Sequence, residues 1–264
     1  AGTGGDVSIT GASFGNHGIY NTYTSSGAYN MKLVGRNVAL TGTSSGVGSS
    51  GFYSFIGSSA GNIITATGDI SVSGTAHASG AGSGLFFATT NWQTFVNSYT
   101  AGGAITIKGT NTSSANTGPA IRMFGVQAQT TGSGSVSVEA STQNAGTNAI
   151  EIYSATFLSN GYQGGATSLG STSGDVKLQA NQGGILFNDG VPNSVTPTTV
   201  SGRNISIDNT GGTIDATTGA ITRGTGQTAG GVSGIKISDS RAFTATGNIN
   251  LYGAGTTGSG RSEE

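Results

Sequence analysis

A glycine followed by two apolar residues set one position apart recurs along the whole chain, and this recurrence restricts the fold more than any other feature. The unit reads Gly5-Asp6-Val7-Ser8-Ile9-Thr10-Gly11, then Gly68-Asp69-Ile70-Ser71-Val72-Ser73-Gly74, and later Gly247-Asn248-Ile249-Asn250-Leu251-Tyr252-Gly253. Its first apolar residue falls at Val7, Val38, Ile70, Ile105, Val136, Val176, Ile205 and Ile249. The steps are 31, 32, 35, 31, 40, 29 and 44 residues, a drifting period of about 35. A period of this size signals a solenoid, in which each repeat buries its apolar face only by stacking on its neighbours.

Within a unit the apolar residues lie two apart with small polar residues between them, which puts the apolar pair on one face of a strand. No sustained three-to-four apolar spacing occurs, and 49 glycines in 264 residues would break most helical stretches. A second segment follows each anchor, as in Gly18-Ile19-Tyr20, Gly51-Phe52-Tyr53, Gly84-Leu85-Phe86, Ala120-Ile121-Arg122 and Ala149-Ile150-Glu151. A third, weaker segment leads into the next anchor, as in Met31-Lys32-Leu33-Val34 and Ile63-Ile64-Thr65-Ala66-Thr67. Three short strands per repeat describe one coil of an all-β, right-handed parallel β-helix spanning residues 1–264 as a single rod segment. At about 4.8 Å per coil, eight anchors give a rod roughly 35–40 Å long. The second apolar residues Ile9, Leu40, Val72, Ile107, Val138, Leu178, Ile207 and Leu251 should form one buried column. The long steps of 40 and 44 should leave the rod as excursions near Ser159 to Ser173 and Thr210 to Gly231.

Composition narrows the function. Only 8% of residues are charged and the net charge is −1, so the chain lacks the basic surface of a nucleic-acid binder or of a polybasic membrane binder. No apolar run approaches a membrane span, and there is no cysteine for a disulfide framework or a thiolate metal site. No signal peptide opens the sequence, and the repeat is running at both ends. The expectation is therefore a mature or excised slice of a longer rod, or copies stacked end to end, since a solenoid needs its end faces covered.

The candidate sites follow from the same alignment. Asp6, Asn37, Asp69, Asp175, Asn204 and Asn248 share the slot before the first apolar residue, but Ala104 and Ser135 interrupt them. A broken series is a poor calcium ladder, and side-chain bonding to nearby turn backbone accounts for these residues without metal. Glu139 and Asp208 fall in one outward column two coils apart with Gln179 between them, an arrangement unlike the paired carboxylates of a glycosidase. His17 and His77 sit alone in loop-like sequence, where they read as solvated. Thr-x-Thr columns of the kind that order water appear at Thr65-Ala66-Thr67 and Thr244-Ala245-Thr246 but lapse at Val126-Gln127-Ala128 and Thr198-Thr199-Val200. In the second strands the outward slot next to the buried residue holds Tyr20, Tyr53, Phe86, Arg122, Glu151, Leu186 and Lys236. Tyr20, Tyr53 and Phe86 would thus form an aromatic ladder over three coils, a contact surface for a protein or a glycan unless a loop covers it. Lys108 should pair with Glu139, and Arg122 with Glu151, as lateral neighbours.

Phrases such as Ala245-Thr246-Gly247-Asn248-Ile249-Asn250-Leu251-Tyr252-Gly253 and Thr67-Gly68-Asp69-Ile70-Ser71-Val72-Ser73-Gly74 resemble the repeats of filamentous-haemagglutinin-like adhesins, the large secreted β-helical exoproteins of Gram-negative bacteria. The resemblance extends over essentially the whole chain. It implies an extracellular, secreted or cell-surface stalk engaged in adhesion or biofilm contacts, non-catalytic and without cofactor or metal. The partners it implies are host or neighbouring-cell surface glycans or proteins, or other copies in a fibre. The Asn-Pro-Asn-type motifs of that family's secretion domain are absent; Val191-Pro192-Asn193 is not one. The alternative class is a carbohydrate-active β-helix protein, a polysaccharide lyase or a tailspike-like glycan-cleaving enzyme.

Overall fold

The computed structural model describes residues 4–23, 29–56, 61–89, 97–153, 167–188, 198–238 and 241–255. Among them every regular element is a strand. Three parallel sheets run along the molecule, the arrangement of a parallel β-solenoid: among the described residues each of the first seven repeats contributes one strand to each sheet, and the eighth contributes one to the first sheet. The first sheet has eight strands, beginning Val7–Ser13, Val38–Ser44, Ile70–Ala76 and Ile105–Asn111 and ending Ile249–Tyr252. The second has seven, from Ile19–Tyr23 through Phe52–Ile56, Leu85–Thr89, Ile121–Phe124, Asn148–Tyr153 and Gly184–Asn188 to Ile235–Ile237. The third also has seven, from Tyr29–Gly35 to Arg241–Ala245.

The register is the anchor alignment read from the sequence. Ile9 lies beside Leu40, Leu40 beside Val72, Val72 beside Ile107, and so on through Val138, Leu178 and Ile207 to Leu251. The six central members are fully buried, because each has a coil on both sides. The two outermost depart from the expected burial: Ile9 is half-buried and Leu251 is 49% exposed. Each lies in a coil that has a described neighbour on one side only. Aromatic rings widen the core in the early coils, where Phe87 packs against Phe52 at 5.5 Å and edge-on to Tyr99 at 6.1 Å.

Glycine shapes the corner between the first and second sheets. A Cβ on Gly42 would run into the carbonyl of Gly51, one on Gly74 into that of Gly84, and one on Gly51 into the backbone of Thr75. The two sheets meet there with no room for a side chain, which is why these coils carry glycine on both sides of the turn.

A different device closes the corner between the third and first sheets. The Asp/Asn slot bonds not to its own turn, as expected, but to the coil that follows. Asp6 accepts the Asn37 N–H (3.2 Å), Asn37 that of Asp69 (2.9 Å), and Asp69 that of Ala104 (2.7 Å). After the gap at Ala104 and Ser135, Asp175 accepts from Asn204 (3.2 Å) and Asn204 from Asn248 (3.0 Å). The ladder has a direction, since every acceptor points towards the higher-numbered coil. Arg36 and Arg203 reinforce it through two-bond pairs with Asp6 and Asp175, and the Arg36 guanidinium holds the Asp6 carboxyl down at about 2. At Asp175 burial opposes the shift, yet the bonds to Arg203 and Asn204 prevail and its pKa is lowered.

The excursion expected near Thr210 to Gly231 is present as an antiparallel pair, Thr213–Ile214 with Ile221–Thr222. It folds back over the outer face of the first sheet. Arg203, Asn204, Ser206 and Asn248 donate to the carbonyls of Ala216, Thr217, Gly219 and Thr218, and Gln179 to that of Gly212. Most of the other expected excursion, Ser159 to Ser173, lies outside the described residues.

Candidate functional site

The second sheet carries the site because its strands alternate. Phe52, Leu85, Ile121, Ile150 and Ile185 point into the core and are buried, so the residue after each faces outward. Strand pairing sets Tyr20 beside Tyr53, Tyr53 beside Phe86, Phe86 beside Arg122 and Arg122 beside Glu151. The rings stack as the register requires, Tyr20 on Tyr53 at 5.3 Å and Tyr53 on Phe86 at 4.8 Å with planes only 3° apart. Tyr20 is 57% exposed, whereas Tyr53 and Phe86 are half-buried.

His17 belongs to this ladder and is not the solvated loop residue its sequence context suggested. Its ring stacks on Tyr20 at 5.1 Å and on Tyr53 at 4.4 Å, and Nδ1 accepts the Ser50 N–H at 2.9 Å. Burial lowers its pKa, and an N–H donated to Nδ1 also requires the neutral ring. His77, by contrast, is exposed and bonds through Nδ1 to the Thr112 hydroxyl.

Beyond Phe86 the stripe turns polar. The Arg122 guanidinium lies 6.0 Å from the Phe86 ring centre, and its Nε donates to Glu151 Oε2 at 2.8 Å. Glu151, buried, also accepts from Asn148 Nδ2 (3.1 Å) and the Tyr153 hydroxyl (3.2 Å). Burial, with the Glu151 charge, pushes the Tyr153 hydroxyl up to about 12. Tyr153 in turn stacks on Phe124 at 4.3 Å, a second aromatic pair one outward slot further along the strands. The sequence reading passed over Asn148, Phe124 and Tyr153; extending the alternation two residues along each strand would have placed the last two beside the ladder.

Rings stacked face to face along the rod present edges and hydroxyls sideways, so the ladder is not a row of flat platforms. Glu151 is held by three donors, and Asp208, fully buried, accepts from the backbone and hydroxyl of Thr210, the Gly212 N–H and Gln179. Glu139 and Asp208 are separated by Gln179 in their column. Among the described residues no group of three or more His, Cys, Asp or Glu side chains could hold a metal ion, and no helix is long and apolar enough to cross a membrane.

Fold and site together define the class, a parallel β-solenoid carrying a lateral aromatic and charged stripe. Comparison with protein-family models, with curated proteins and with solved structures returned no match.

Proposed function

We propose that the chain is a structural stalk and contact surface of a secreted or cell-surface bacterial adhesin or fibre, acting by binding and not by catalysis. The observation that carries this reading is the stripe from His17 through Tyr20, Tyr53 and Phe86 to the Arg122–Glu151 pair, continuous over five coils of a regular rod. Ring edges, tyrosyl hydroxyls and a fixed guanidinium suit a protein surface or the hydroxyls of a glycan on a host or neighbouring cell. The solenoid supports the reading because it holds these groups about 4.8 Å apart at no cost in loop ordering. The resemblance of the repeats to haemagglutinin-like exoproteins favours the extracellular setting. Replacing Tyr20, Tyr53 and Phe86 together by Ser, with folding checked by circular dichroism, should abolish binding to a glycan array or to cells. Undiminished binding, or release of oligosaccharides from a polysaccharide panel by the unmodified chain, would overturn it.

A further inference from the structure

We propose that Tyr20 and Tyr53 form an oxidative cross-linking site, at which a one-electron oxidant, a peroxidase acting with hydrogen peroxide, joins their rings by a carbon–carbon bond and staples the first coil to the second. The two residues are laterally paired on adjacent parallel strands, and their rings stack with centroids 5.3 Å apart and planes 29° from parallel. Tyr20 is 57% exposed, so a bulky oxidant reaches it from solvent, while Tyr53 beside it is half-buried. No other two tyrosines among the described residues stack on one another. Tyr99 is fully buried and meets Phe87 edge-on, Tyr153 stacks on Phe124, and the Tyr252 ring lies against Arg223.

The oxidant takes one electron from the exposed Tyr20, whose phenolic proton leaves to water as the phenoxyl radical forms. Tyr20 then draws an electron and a proton from Tyr53 across the stack, and a second oxidation of Tyr20 leaves a radical on each ring. The radicals couple at the carbons ortho to the hydroxyls. The hydrogen on each coupled carbon moves to its oxygen as the ring regains aromaticity. One hydrogen peroxide is reduced to two waters, and the chain loses two hydrogens. The two side chains leave the backbone one strand spacing apart, about 4.8 Å, a span that an ortho-to-ortho bond bridges once each ring turns about its Cβ–Cγ bond. Because the stack holds the rings together, coupling within a chain outruns coupling between chains.

The site stands on the geometry of the two rings and not on the contact-surface reading. The test treats the whole chain, in dilute solution, with a peroxidase and limiting hydrogen peroxide. Dityrosine fluorescence, intact mass and mapping of linked peptides are the readouts. The expected product is a single chain lighter by two hydrogens, with Tyr20 joined to Tyr53. Tyr20→Phe and Tyr53→Phe keep the stack but remove one phenol, and each should cut the dityrosine yield at least about tenfold. Tyr252→Phe should leave it unchanged, with circular dichroism showing all three variants folded. Cross-links mainly between chains, a bond that maps to another pair of tyrosines, a yield untouched by Tyr20→Phe and Tyr53→Phe, or no dityrosine at all would each overturn the proposal, whatever the ladder variant does to cell binding.

Discussion

At His17 the ladder and the backbone act on one ring. The folded pKa lies below the ordinary 6.5, so the neutral ring stabilises the fold fully above that value and the contribution is lost as pH falls through the folded pKa. The melting temperature of the chain should therefore drop as the pH falls below the ordinary histidine value of 6.5. His17→Phe, which keeps the stack and removes the titration, should flatten that part of the profile; an identical slope would mean that the ring does not sense its burial. Arg122 is the second informative residue. Arg122→Ala strips one of three donors from the buried Glu151 carboxylate and should cost about 1–3 kcal/mol in urea unfolding. Lys108→Ala breaks a 4.0 Å pair with Glu139 between two exposed side chains and should cost less than about 1 kcal/mol. Both pairings were legible in the sequence because outward slots follow from alternation. His17 was not, because it reaches its partners from a turn, where no periodicity says which way a side chain points.

Single strands and corners differ in how much of them the sequence discloses. The apolar columns could be read directly, since Val, Ile and Leu alternate with Ser and Thr and a one-residue slip would expose every core residue. Ile107→Ala should open a cavity and cost about 2–5 kcal/mol, whereas Leu251→Ala should cost far less, a contrast visible in denaturant midpoints. The glycines of the first corner repeat in the sequence, but the contact that demands them is between strands. Gly74→Ala would press a methyl into the Gly84 carbonyl and should cost about 1–3 kcal/mol through overpacking; a neutral result would show that the corner can spread. The Asp/Asn slot was recognised as structural, yet its direction was hidden, because choosing between a bond within the turn and one to the next coil requires knowing where the next coil lies. The length of the 210–231 insertion announced an excursion. Its return onto the first sheet depends on Gln179, Arg203, Asn204, Ser206 and Asn248 meeting its carbonyls, a match between distant segments that no local pattern records.

For the whole molecule, the main surface features are consequences of stacking in register: the aromatic stripe and the directional ladder exist only if residues about 35 apart are neighbours. The chain has no cysteine, so this can be tested without background. Lys108→Cys with Glu139→Cys places two thiols on laterally paired residues of adjacent coils, within the span a disulfide bridges. Lys108→Cys with Gln179→Cys places them two coils apart, roughly 9.6 Å at the strand spacing and beyond reach. Under mild oxidation, thiol titration and intact mass should show the first pair closing an intramolecular disulfide and the second remaining reduced. Closure of the Lys108/Gln179 pair instead, or of neither, would contradict the coil register and everything built on it.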